Sequence, residues 1–190
     1  MPSSVILREE MMEKGQAERL LALLEEVLEE GSLRWRDLRA IAVGTGPGNF
    51  TGVRIAVAAA RGLALGLGIP AIGVTRLEAL AHGLDRPVTV IEDARRGEIY
   101  VQHFGPTGPG IARLAADDKG VNSAIAGPIT GPHTGNAAGP GALAAAMPLA
   151  EATARIGAQR VLTPQPPPAP FYLRGADAAP PADPPPVILP

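Results

Sequence analysis

The chain contains no cysteine and few aromatic side chains, which make up 3% of its 190 residues. The absence of cysteine excludes disulfide bonds and thiolate metal sites, and it is typical of proteins in a reducing compartment. Histidine is also scarce. His82, His103 and His133 are scattered and form no i, i+4 pair of the kind that binds a metal on one helix face. The sequence therefore predicts no metal site.

Neither positive nor negative charge dominates, and the sequence contains no long hydrophobic run. Lys and Arg number 17 against 19 Asp and Glu, and 46% of the residues are hydrophobic. This balance argues against a disordered chain and against non-specific binding to nucleic acid. The longest apolar run, residues 55–69, is interrupted by Arg61 and by glycines, and the N-terminus has no signal-peptide pattern. We expect a cytoplasmic protein without a membrane span.

A glycine-rich turn joins an apolar strand, residues 40–44, to a helix over residues 51–66. Strand–turn–helix units of this kind often bind phosphate. This turn lacks the Lys and Ser/Thr of a P-loop, the spacing of a dinucleotide site, and the central Ser or Cys of a nucleophile elbow. We interpret it as a tight turn for close strand–helix packing, and we expect no catalytic residue and no cofactor.

Two helices are candidates for contact with a partner. Residues 16–30 have amphipathic spacing and end at Gly31, and their apolar stripe fits either packing on the protein's own sheet or an additional partner helix. The helix over residues 51–66 carries only Arg54 and Arg61 as charges, and its small residues allow another backbone to approach closely. The expected partner-contact residues are Leu20, Leu21, Leu24, Val27, Leu28, Arg54, Ala56, Ala59, Ala60, Gly62 and Leu63.

Strand and helix alternate in the first half of the chain. Strand 71–74 follows the second helix, and Thr75 and Glu78 form a capping box that opens a further helix through Ala81. This order predicts parallel strand pairing in an α/β sheet.

Residues 88–92 and 98–104 read as a β-hairpin around a turn at 93–97. Asp93 and Glu98 near this turn suggest a metal or acid–base pair. A turn held by Asp capping and by Arg–carboxylate pairs is the interpretation we favour.

The rest of the chain is rich in Gly, Pro and Ala. We expect one short strand at 124–127, a helix at 149–159, and a tail that lies extended on the surface, held where Phe171, Tyr172 and Leu173 bury. The predicted division is an N-terminal lobe at 1–86, a C-terminal lobe at 87–163 and a proline-rich extended tail at 164–190.

Several segments resemble the TsaB (YeaZ-like) family in the family's order. The signature-like turn consists of Gly46, Pro47, Gly48, Asn49, Phe50, Thr51 and Gly52, followed by Val53 and Arg54. Further matching segments are residues 60–65, 68–70, 73–81, 93–100 and 170–175, together with 15–21 upstream. The resemblance covers most of residues 5–104 and a short piece of the tail.

The resemblance implies a degenerate actin/Hsp70/sugar-kinase-like α/β fold with two lobes. It also implies a non-catalytic dimerization subunit that pairs with a TsaD-type catalytic subunit, is joined by a TsaE-type ATPase, and forms a homodimer when alone. Together these proteins would transfer threonylcarbamoyl to N6 of the adenosine beside the anticodon in tRNAs that read ANN codons, with tRNA reached only through the complex. The alternatives left open are a stand-alone actin-like ATPase or metallopeptidase, and a homodimer that serves only for storage.

The chain departs from the family pattern at its beginning. Residues 5–8 resemble the family's third strand, so the first two strands are expected to be absent and Met1 to be an internal start. In an actin-like sheet the first strand is central, and its loss would leave strand 40–44 without one neighbour.

Overall fold

Two β-sheets and four α-helices form the described part of the chain, residues 5–116 and 131–174 of a computed structural model. The helices are α1 Gln16–Glu30, α2 Phe50–Leu67, α3 Arg76–Ala81 and α4 Leu149–Arg160. The strands are β1 Ile41–Gly44, β2 Ala71–Val74, β3 Val88–Arg95, β4 Glu98–Gly105, β5 Gly108–Pro109, β6 Arg113–Ala116 and β7 His133–Thr134. The fold is mixed α/β, as predicted, and the strand expected at 124–127 lies outside the described residues.

The first sheet is a parallel pair, β1 with β2, in which Ile41 pairs with Ala71 and Gly44 with Val74. The predicted parallel pairing is confirmed. It arises because α2 returns the chain to the end of the sheet at which β1 began, so that β2 runs in the same direction. One face of β1 packs on α2 and the other on α4. Since both faces are covered, β1 reads as a continuous apolar run without a polar alternation.

Side-chain caps mark the starts of α2 and α3, and α2 begins at Phe50, one residue before its predicted start. The Asn49 side chain accepts a hydrogen bond from the Gly52 N–H at 2.9 Å, and Thr75 Oγ1 accepts from the Glu78 N–H at 3.1 Å. Each side chain satisfies an amide that has no partner within its own helix. Gly68 ends α2 in the left-handed conformation, at φ 66°.

The second sheet has the order β5-β4-β3-β7, with β6 also paired to β4. Its β3–β4 hairpin is tighter than predicted: the strands extend to Arg95 and from Glu98, with a bulge between Asp93 and Arg95. Asp93 therefore lies in a strand and not in the turn. The bulge and the positive φ values at Arg95 and Arg96 absorb the tight reversal.

The largest fully buried side chains come from the strands of both sheets and from α3. They are Ile72, Leu77, Ile91, Ile99, Val74, Val88, Val90 and Thr134. The short helix α3 contacts α4 and β3, so it packs between the two sheets. A division into lobes at residues 86 and 163 stays a prediction.

Among the described residues, β1 pairs with β2 alone. The backbone N–H groups of Ile41 and Thr45 donate to the carbonyls of Pro70 and Val74, on the side of β2. In a parallel pair alternate residues point to opposite edges of a strand, so the backbone groups of Ala42 and Gly44 face the edge of β1 away from β2. This edge is the one that the sequence comparison expected to lack a neighbour. The absence of the family's first two strands itself stays a prediction.

We expect Gly157→Ala to destabilise the chain by about 1–3 kcal/mol, because the added Cβ would lie 2.5 Å from the Ala42 Cβ where α4 crosses β1. The matched control is Gly62→Ala in α2, where an added Cβ meets nothing within 4 Å. This control should gain about 0.5–1 kcal/mol from helix propensity. Urea unfolding followed by circular dichroism measures both, and equal shifts would contradict the packing described for α4.

Candidate functional site

The helix α1 exposes its apolar stripe. No residue of Gln16–Glu30, all of them described, is buried, and Leu21 is 49% exposed. The other stripe residues, Leu20, Leu24, Val27 and Leu28, are only half-buried. An amphipathic helix normally buries such a stripe, so within residues 5–116 and 131–174 this surface is only partly covered.

An ionic network holds α1 to the segment that precedes it. The Arg19 guanidinium donates to both carboxylate oxygens of Glu10 and both of Glu26, at 2.5–2.8 Å. These hydrogen bonds from Arg19 lower the pKa of Glu10 and the pKa of Glu26, and they raise the pKa of Arg19. All three groups therefore stay charged near neutral pH, on a helix whose polar side is strongly acidic.

The helix α2 has two different faces. Val57, Ala60 and Ala64 are buried, with Val53 and Ala56 packed in the same cluster against Val43 of β1. Ala56 and Ala60 were predicted to contact a partner. Both pack towards the strand that precedes α2, and a partner contact for them stays a prediction.

The opposite face of α2 is open to solvent. Its exposed residues are Thr51, Arg54, Ala58, Arg61, Gly62, Leu65 and Gly66, and Leu65 is 85% exposed. Ala59 and Leu63 are half-buried at the border of this face. Arg54, Gly62, Ala59 and Leu63 are thus the predicted contact residues of α2 that solvent reaches, and sequence reasoning missed Ala58 and Leu65.

The glycine-rich turn uses its backbone for internal contacts. The Thr45 amide donates to Val74 at 2.9 Å, the Arg76 amide donates to the Gly46 carbonyl at 2.7 Å, and the Phe171 amide donates to the Thr45 carbonyl at 2.8 Å. Gly46 has φ +96°, a conformation that glycine adopts without strain. The turn thus joins β1, α3 and the C-terminal segment.

A cleft of about 770 Å³ lies between this turn and the end of β3. The wall opposite the turn includes Glu92, which is 4% exposed. Its carboxylate accepts hydrogen bonds from Arg76 Nε at 2.5 Å and from the backbone N–H of Asn136 at 2.9 Å. The Asp93 carboxylate accepts a hydrogen bond from the backbone N–H of Arg95 at 2.7 Å, and the backbone N–H of Asp93 donates to Asn136 Oδ1 at 2.7 Å. The polar groups of this wall are bonded to one another.

Asp93 and Glu98, the pair considered for metal or acid–base chemistry, have separate partners. Asp93 caps its own bulge, and Glu98 forms an ion pair with Arg174. In residues 5–116 and 131–174 no group of three or more His, Asp or Glu is arranged to hold a metal ion.

The C-terminal segment 168–174 spans the two sheets. Beside the Phe171 contact with Thr45, Arg174 donates to the Ala94 carbonyl at 3.0 Å and pairs with Glu98. Leu173 packs on the core, as predicted, but Tyr172 is 46% exposed and its hydroxyl accepts a hydrogen bond from Arg54 Nε at 2.8 Å. The expectation that Tyr172 buries is therefore wrong, because its ring lies over α2 at the surface.

Comparison with known families defines the class of this α/β protein. The family model of TsaD, tRNA N6-adenosine threonylcarbamoyltransferase, matches residues 10–118, which is more than half of the chain. A crystal structure of a protein with similarity to the peptidase YeaZ from Pseudomonas aeruginosa has a TM-score of 0.64, covers 87% of both chains and is 24% identical. That likeness supports the fold alone.

Curated relatives narrow the class. The TsaB protein of Escherichia coli, named for tRNA threonylcarbamoyladenosine biosynthesis, is 40% identical over 96 residues, covering 48% of this chain and 42% of the relative. The TsaB protein of Bacillus subtilis is 38% identical over 92 residues, covering 47% and 40%. The match thus spans somewhat less than half the length of these relatives. The chain belongs to the TsaB/YeaZ family within the TsaD-related class.

We expect Arg76→Ala to destabilise the chain by about 2 kcal/mol, because the buried Glu92 carboxylate loses its cation. Adding Glu92→Gln to that variant should recover part of the loss, since a neutral amide costs less to bury than an unpaired carboxylate. Urea unfolding of both single variants and the double variant gives the coupling energy. Additive losses would contradict a direct dependence of Glu92 on Arg76.

Proposed function

We propose that this chain is a non-catalytic scaffold that pairs with a TsaD-type catalytic subunit in tRNA threonylcarbamoyladenosine biosynthesis. The uncovered apolar stripe of α1 and the open face of α2 carry this proposal. Two helices with unburied apolar faces suit packing against the helices of another protein, in which Leu20, Leu24 and Leu28 would lose contact with water.

A lipid bilayer is the alternative to a protein partner as the environment of α2. The helix has 18 residues with a mean hydropathy of 1.4, long and apolar enough to cross a bilayer, and only 17% of it is buried. Arg54 and Arg61 lie two turns apart inside this helix, and each charge would be costly in hydrocarbon. Its inner face is also committed to β1. A protein partner is the cover that suits both observations.

The relatives' names supply the pathway. Their tRNA threonylcarbamoyladenosine biosynthesis role, carried over to this chain, means transfer of threonylcarbamoyl to N6 of the adenosine beside the anticodon. A TsaE-type ATPase would join the pair. A net charge of −2 suits a subunit that reaches tRNA only through its complex. The proposal also includes a cytoplasmic location and a homodimer when the chain is alone.

Size-exclusion chromatography with light scattering tests the pairing, on this chain alone and mixed with the TsaD-type subunit of the same genome. A mass equal to one copy of each supports the proposal. A folded chain that gives no complex overturns it. ATP hydrolysis or metal-dependent peptide cleavage by the purified chain alone would favour an enzyme instead.

Ala58→Arg and Leu24→Glu should each abolish or strongly weaken the complex, by about 100-fold or more in Kd, because each places a charge in a desolvated helix contact. Ala158→Arg is the matched control for Ala58→Arg, since Ala158 is an exposed alanine in the last turn of α4. Melting temperatures should stay close to wild type. Equal affinity of the Ala58 and Ala158 variants would show that α2 is not the docking face.

A further inference from the structure

Arg54 is held in one orientation by two aromatic side chains on the surface. Its Nε donates to the Tyr172 hydroxyl at 2.8 Å, and its Cζ lies 3.8 Å from the centre of the Phe50 ring. The two rings lie 5.3 Å apart, and Phe50 is 51% exposed. Stacking and a directed hydrogen bond together restrict a side chain that is normally free to rotate.

This fixed cation has no anionic partner within the described chain. Seven other arginines form ion pairs there: Arg8, Arg19, Arg34, Arg76, Arg155, Arg160 and Arg174. The Nε of Arg54 is used by a neutral hydroxyl, which leaves the two terminal nitrogens of the guanidinium for an outside acceptor. That pair of donors matches the two oxygens of a carboxylate.

The surroundings of Arg54 indicate the kind of acceptor. The helix α2 contains no acidic residue, and its open face continues from Arg54 through Ala58 and Gly62, which are small enough for a packed helix. The net charge of the chain is −2, which disfavours the approach of a polyphosphate chain. A protein carboxylate therefore suits this position better than an RNA phosphate.

We propose that Arg54 anchors the docking face of α2 by donating a bidentate hydrogen bond to an Asp or Glu side chain of the partner subunit, and that Tyr172 positions Arg54 for it. This inference rests on the proposed pairing with a TsaD-type subunit. Tyr172 lies 118 residues from Arg54 in the sequence, on a segment tied to Thr45 and to Glu98. The geometry of the docking face thus depends on the C-terminal segment.

The test measures the Kd for the TsaD-type subunit of the same genome by biolayer interferometry at two salt concentrations. Arg54→Lys keeps the charge but loses the planar pair of donors, and it should weaken binding about tenfold. Tyr172→Phe keeps the ring but loses the hydroxyl, and should weaken binding about threefold to tenfold. Arg113→Lys is the matched control, because Arg113 is an exposed arginine of β6 in the second sheet, and the expected change is less than about twofold.

The double variant separates positioning from a general structural role. If Tyr172 acts through Arg54, the variant with both Arg54→Lys and Tyr172→Phe should bind no more weakly than Arg54→Lys alone. Melting temperatures of all variants, measured on the free chain, should match wild type.

Three results would overturn the inference while leaving the pairing intact. They are wild-type affinity in Arg54→Lys, an equal loss in Arg113→Lys, and loss of tRNA binding by the complex with unchanged affinity between subunits. The last would assign Arg54 to an RNA phosphate. Failure of the wild-type chain to bind the TsaD-type subunit at all would overturn both the inference and the proposed function.

Discussion

The strand β1 is the constraint on which the rest of this structure depends, because both of its faces are covered by helices. On one face Val57 and Ala60 of α2 pack against Val43, and on the other Gly157 of α4 lies directly over Ala42. Close approach on two sides requires small or β-branched side chains in all three elements. The glycine-rich turn, the direction of α2 and the position of the cleft follow from this three-layer arrangement.

Only one face of α2 is buried within the protein, and the other face is free to contact another molecule. Its inner residues are committed to β1, while Leu65 and the small residues beside it remain in water together with the stripe of α1. Burying such apolar surface against another molecule lowers the free energy, because the surface is then removed from water. The same helix thus stabilises the fold and forms the proposed docking face, which explains why it is apolar on nearly every side.

Polar contacts connect the two sheets across the cleft. The Arg76–Glu92 pair joins α3 to β3, and segment 168–174 ties the glycine-rich turn to the β3–β4 hairpin through Thr45 and Glu98. The short spacing between Asp93 and Glu98 suggested a metal or acid–base pair as one alternative. Spacing cannot show that Glu98 pairs with the distant Arg174, while Asp93 accepts from the Arg95 amide beside it.

By itself the sequence determined what depends on neighbouring residues. Local spacing and chain order determine the cap at Thr75, the end of α1 at Gly31, the parallel pairing of β1 and β2, and the family resemblance. Only the tertiary structure decided that Ala60 faces β1, that Tyr172 stays at the surface against Arg54, and that Glu92 is buried with its cation. Those features depend on contacts between residues far apart in the chain, whose side chains meet only after the sheets and helices have packed.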